Sequence, residues 1–207
     1  MTISTDDLLN SILESFDRIG HVRSEDIPNI DLYMDQVTTF MEQRMRATTR
    51  NPEEDKILTK TMINNYAKND LLPPPVKKKY SKEHVLVLIF IYYFKGILSI
   101  GDIQALLNPL TERFFHAGSG IKMEDIYDEV FSLEKEKIEA LKEDVKKMYE
   151  ESAHTFQKVE EEDRAFLQRF SFICMLSYDV YVKKLLIEKM IDSMKKEEKA
   201  SKPAKAE

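Results

Sequence analysis

Residues 58–107 read LTKTMINNYAKNDLLPPPVKKKYSKEHVLVLIFIYYFKGILSIGDIQALL, and this run decides how the rest of the chain is interpreted. A short amphipathic segment leads into Leu71-Leu72 and three prolines. Three lysines and a tyrosine come next, then an apolar run, a glycine and a second short helical pattern. Pro73, Pro74 and Pro75 cannot continue a helix and force an extended turn.

The spacing before the prolines predicts a helix over residues 59–69. Thr59 is its expected N-cap, because a hydroxyl there accepts from an unpaired backbone N–H of the first turn. At about 100° per residue, Met62, Ile63, Tyr66 and Ala67 share one arc, and Lys60, Thr61, Asn64, Asn65 and Lys68 share the opposite one. The first arc can pack; the second offers amides, a hydroxyl and ammonium groups. Asn can pair bidentately with adenine in a major groove, for roughly 1–3 kcal/mol of discrimination. Lys supplies charge to phosphates. An ordinary solvated helix face has the same composition, so this helix alone decides nothing.

Its surroundings are basic. Residues 56–84 hold seven Lys against one Asp and one Glu, in a chain whose net charge is −6. Lys77, Lys78 and Lys79 arrive together just before Tyr80. A polar helix followed by a Pro-broken basic loop matches the electrostatic footprint of a nucleic-acid surface, although lysine runs also occur in plain solvated loops.

Ser81 and Glu83 open a predicted helix over residues 81–95. Its ten residues from Val85 to Phe94 are apolar nearly all round, too few for a bilayer, which needs about 20, so a buried core helix is expected. Gly96 is placed for a left-handed C-cap. Ser99 and Asp102 resemble a capping box for a short helix with Ile103, Leu106 and Leu107 inward. Asn108-Pro109 is expected to end it.

On these residues the run resembles the DNA-binding domain of MerR-type regulators, named for the mercury-resistance repressor-activator. Ile63, Tyr66, Leu71, Leu72, Pro73, Lys78, Tyr80, Ser81, Gly96, Ser99, Ile103 and Leu106 carry the likeness, strongly over about 50 residues. The chain is similar, more closely still, to an uncharacterised bacterial domain-of-unknown-function family with a MerR-like core. The resemblance implies a winged helix-turn-helix, with residues 59–69 as recognition helix and the lysine loop as wing. Asn64 stands where that family usually carries Arg, Lys78 where a wing Arg is expected, and no Gly-Tyr pair shapes the wing. The upstream helix is expected over residues 31–45, with Val37, Phe40 and Met41 inward. The 13 residues 46–58 then separate it from its partner, where a 3–4-residue turn is usual.

Elsewhere, Ser4 is the expected cap of a helix carrying Leu8, Ile12, Phe16 and Ile19, ended by Gly20, with residues 21–29 as a linker. A short helix over 110–117 and a Gly118-Ser119-Gly120 joint follow the central region. Two long helices are expected at 123–157 and 161–196. In the first, Phe131, Ile138, Leu141, Val145 and Met148 form a seam. The second carries Phe166, Phe170, Ile173, Cys174, Tyr178, Tyr181, Leu185, Met190 and Ile191, interrupted by charges. The single Cys excludes a disulfide framework and is expected to be buried and inert. His21, His84, His116 and His154 are scattered without metal-ligand spacing, and no carboxylate pair stands out as a general acid and base. No basic-then-apolar leader opens the sequence, so no signal peptide is expected.

The expected fold class is therefore mainly all-α: an N-terminal helix and linker over 1–28, a MerR-like winged helix-turn-helix over 29–109, a helical hairpin over 110–194 and a disordered charged tail over 195–207. The expected function is non-enzymatic: a DNA-binding transcriptional regulator, cytoplasmic and homodimeric through the C-terminal helices, without cofactor, metal or membrane. Its DNA contacts would be Lys60, Thr61, Asn64, Asn65, Lys68, Lys77, Lys78, Lys79 and Tyr80. The rival expectations are a helical interaction protein that no longer binds DNA, and a sensor with a ligand pocket along residues 166–181. A monomeric bundle remains the alternative to the dimer.

Overall fold

The computed structural model describes residues 5–16, 22–116, 118 and 120–201. It is mostly helical. Among the described residues it contains α1 (Thr5–Phe16), β1 (Leu32–Tyr33), α2 (Met34–Met45), α3 (Lys60–Lys68), β2 (Lys79–Tyr80), α4 (Lys82–Phe94), α5 (Ile100–Phe114), α6 (Met123–Ala153) and α7 (Glu161–Ser201). Two compact units divide the chain, Met1–Leu133 and Glu134–Glu207.

The first unit is organised around α4. Ser81 caps it: Ser81 N–H donates to His84 Nδ1 at 3.0 Å. Every residue from His84 to Ile91 is buried, at 5% exposure or less, so burial on all sides, not amphipathicity, holds this helix. Val37, Met41 and Met45 of α2, Ile63 of α3, and Ile103 and Leu107 of α5 complete the core. The first turns of α6 close it, where Phe90 lies against Tyr127 and Phe131 with centroids 5.5 and 5.6 Å apart. The Tyr127 hydroxyl donates to Val22 O at 2.5 Å, and Ser24 Oγ donates to Asp128 Oδ2 at 2.5 Å. The unit thus runs well past Pro109.

Several local expectations are corrected. Pro109 lies inside α5, which continues to Phe114, so the separate helix expected at 110–117 is part of it. Ile103 and Leu107 bury the helix on the core side, and Thr111 Oγ1 donates to Leu107 O and Asn108 O, both at 3.1 Å, which supports the turn that Pro disturbs. Gly96 does not take a left-handed conformation; the positive-φ glycine among the described residues is Gly120. In α1, Leu13 is buried and Ile12 is exposed. The expected roles of Ser4, Ile19, Gly20, His21, Ala117 and Ser119 lie outside the described residues.

In the second unit, the remainder of α6 and α7 form a hairpin pinned near its turn. Gln168 Nε2 donates to Ala153 O (2.7 Å) and Thr155 O (3.1 Å), and Tyr149 meets Phe172 edge-on at 5.3 Å. α6 ends at Ala153, short of the expected 157. Gln168 and Phe172 mark the side of α7 that faces α6. On the opposite side Phe166, Phe170, Ile173 and Tyr181 stand exposed. Cys174, expected to be buried, is exposed there too, because nothing in this unit packs on that side. α7 also continues through Ser201, so residues 195–201 are helical where charge predicted disorder; residues 202–207 lie outside the described residues.

Candidate nucleic-acid interface

α3 divides as its sequence pattern predicts. Ile63 is fully buried, Tyr66 and Ala67 are half-buried, and Lys60, Thr61, Asn64, Asn65 and Lys68 are exposed. Met62, placed on the apolar arc, is itself exposed. Thr59 Oγ1 accepts from Met62 N–H at 3.2 Å, which sets the helix start. At the other end Leu71 N–H donates to Tyr66 O at 2.9 Å while Asp70 adopts φ +53°. This is a Schellman-type stop with Asp in the position that usually takes Gly. Gln104 of α5 donates to Asn69 O, tying the C-terminal end of α3 to the core.

The lysine loop is a tight β-turn. Val76 and Lys79 exchange both backbone hydrogen bonds, Val76 N–H to Lys79 O at 3.1 Å and Lys79 N–H to Val76 O at 2.9 Å. Lys77 and Lys78 form the two-residue tip at φ +50° and +64°, the geometry of a type I′ turn that favours Asn-Gly. Each left-handed lysine costs roughly 1–2 kcal/mol. Both side chains are exposed. Beyond the tip, β2 pairs antiparallel with β1, Leu32 opposite Tyr80 and Tyr33 opposite Lys79.

The nine candidate residues do not have equal access. Lys60 forms an ion pair with Asp35 of α2, and Lys79 Nζ lies 5.3 Å from the centre of the Tyr33 ring. Tyr80 is 3% exposed, so it anchors the turn from within and presents nothing to a ligand. Thr61, Asn64, Asn65, Lys68, Lys77 and Lys78 remain as the open set. α2 packs against both α3 and β2, so one helix supports the polar face and the turn.

Two contributors escaped the sequence reading. β1 and its exposed Tyr33 form the partner strand of the turn, but two residues give no periodicity to detect. His84 is the second. Its ring is 1% exposed, with Nδ1 accepting from Ser81 N–H and Nε2 3.5 Å from Pro74 O. One imidazole therefore spans from the proline segment to the start of α4. Burial pushes its pKa down to about 4, with the neighbouring His116 adding to the effect and the Pro74 carbonyl and Asp31 opposing it. At neutral pH it is uncharged and serves as a cap.

The connection between α2 and α3 is a built loop. A 3₁₀ turn (Arg46–Thr48) begins it. Arg46 pairs with Glu42 and donates to Pro52 O and, at 2.8 Å, to Asp55 O. Asn51 N–H donates to Asp55 Oδ2 at 2.9 Å. Ile57 and Leu58 are buried and return the chain to the core. Arg46 is thus spent on shaping the loop.

Among the described residues no group of three or more His, Cys, Asp or Glu side chains could hold a metal ion, and no helix is long and apolar enough to cross a membrane. The family described as Domain of unknown function (DUF1836) matches residues 22–130, just over half of the chain. Neither the curated proteins nor the solved structures contain a match to this chain. The matched segment begins at the residue whose carbonyl Tyr127 holds and ends soon after Asp128, so its limits coincide with the closure of the first unit.

Proposed function

The chain belongs to the family of DUF1836 domains, and from that premise we propose that it is a non-catalytic, sequence-specific DNA-binding regulator of MerR-like type, acting as a homodimer. The observation that carries this reading is the joint exposure of the α3 polar face and the two-lysine turn on a shared α2 support. α3 would enter the major groove with Asn64 and Asn65 reading bases. Lys68, Lys77 and Lys78 would hold phosphates, with Lys60 and Lys79 released from Asp35 and Tyr33 as DNA competes for them. Tyr80 and His84 would fix the turn at the angle its lysines need. The exposed stripe of α7, with Phe166 and Phe170 at 68% and 54% exposure, supports a dimer through the C-terminal helices.

The test is a duplex titration at two salt concentrations, comparing the wild type with a Lys77→Ala/Lys78→Ala/Lys79→Ala variant. Binding should weaken with salt, and the variant's log–log slope should be shallower by about 2–3, near 0.9 for each phosphate that is no longer neutralised. A wild type that binds no duplex at low salt overturns the reading. The exposed stripe would then favour the alternative, a helical interaction protein on a fold that no longer binds DNA.

A further inference from the structure

A cavity of about 480 Å³ opens between the α2–α3 connection and the C-terminal end of α4, lined among others by Thr48, Asp55, Lys56, Tyr92, Tyr93 and Lys95. Its size lies within the range of small-molecule sites, about 300–1,000 Å³. Lys95 is the residue of interest. Its Nζ donates to Ile57 O at 2.6 Å and sits 4.7 Å from the centre of the Tyr92 ring. Among the described residues no carboxylate lies within ion-pairing distance of it. Asp55, the carboxylate of the lining, has Oδ2 on Asn51 N–H. Half-burial of this ammonium depresses its pKa, the cost of removing charge from water without a counter-ion. Lys56 adds a second, exposed positive charge to the rim. Thr48 Oγ1 and the Tyr92 hydroxyl hold each other at 2.6 Å and fix the Tyr92 ring as a wall.

We propose that this cavity binds a small organic anion with one carboxylate and a flat apolar body. The carboxylate meets Lys95 with Lys56 alongside, and the body lies against the tyrosine rings. A carboxylate supplies the counter-ion that Lys95 lacks, and hydrogen bonds to charged groups contribute about 1.5–3 kcal/mol. The site also touches α3. Lys95 holds the carbonyl of Ile57, two residues before the Thr59 cap. An anion that draws the ammonium away loosens the entry into α3. That consequence rests on the DNA reading of α3; the binding itself does not.

The experiment is an amide-resolved NMR titration of the full chain, without DNA, using sodium benzoate, with inorganic phosphate and sodium chloride as parallel arms at constant ionic strength. Benzoate should saturate with shifts at the amides of Leu58, Thr59 and Gly96. Affinity should fall at least about tenfold in Lys95→Gln, as loss of one charge-assisted bond implies. It should fall severalfold in Lys56→Gln, whose exposed position spares the fold, and stay unchanged in Lys77→Ala/Lys78→Ala. Non-saturating benzoate shifts, or equal affinity in the wild type and both glutamine variants, overturn the proposal. Phosphate saturating as tightly as benzoate also overturns it, because the tyrosine walls would then recognise nothing.

Discussion

α4 and α7 are both rich in large apolar residues, and they spend them in opposite ways. In α4 the stretch from Val85 to Ile91 is buried on every side. In α7 one side faces α6 while Phe166, Tyr178 and Tyr181 on other sides are exposed by 60% or more. Apolar content therefore does not say where a helix sits. α4 completes a core within its own unit, and α7 carries a surplus that its own unit does not cover, larger than scattered surface residues require.

The sharpest way to break this comparison is truncation at matched positions. Leu88→Ala should lower unfolding free energy by about 2–5 kcal/mol, the range for a fully buried leucine. Phe170→Ala should leave monomer stability within about 0.5 kcal/mol yet shift sedimentation toward the smaller species. Equal destabilisation by the two changes, with unaltered sedimentation, would remove the contrast.

Acid is expected to act on the first unit. The folded pKa of His84, about 4, lies below its ordinary value of 6.5, so the unfolded chain binds the extra proton between them. Stability from this group is complete above about pH 6.5 and is lost as pH falls through 4, up to roughly 3 kcal/mol. Asp31, Glu83 and His116 are the charged and titratable groups that lie around the site. The difference between wild type and His84→Gln, which keeps a capping side chain, isolates the imidazole. Urea melts at pH 7 and 4.5 should differ less in the variant; an identical pH dependence contradicts the assignment.

The smallest effect sharpens the view of the lysine turn. Lys77→Asn/Lys78→Gly should raise stability by about 1–2 kcal/mol, less than the two lysine costs together because Asn keeps part of the left-handed cost, while flattening the salt dependence of any duplex binding. Thermal melts that show no gain would mean that the strain is relieved elsewhere.

What the sequence disclosed follows from how local each signal is. The two-sided pattern of α3, the Thr59 cap and the apolar run of α4 depend on neighbours within a few residues, and each is present in the structure. The burial of Tyr80, the bridging role of His84 and the pairing of β1 with β2 depend on contacts distant in the chain, which leave no periodic trace. Pro109 misled for the same reason: its local propensity to end a helix is outweighed by Ile103 and Leu107 packed on the core. Cys174 misled in reverse. Its apolar neighbours suggested a core, yet of these Phe172 turns toward α6, while the thiol lies with exposed Ile173 on the uncovered side.

The bond from Tyr127 to the carbonyl of Val22 also has a consequence in time. These residues are 105 positions apart, so a growing chain cannot seal the unit until α6 has emerged. At about 5–20 residues per second of synthesis, the segment beginning at Val22 waits roughly 5–20 s for its closing partner. For the last part of that interval, the 37 residues from Phe90 to Tyr127 or roughly 2–7 s, the apolar surface of α4 has no Tyr127 or Phe131 to cover it. Synthesis is thus a period in which an apolar helix of this protein is open to aggregation and to capture by chaperones.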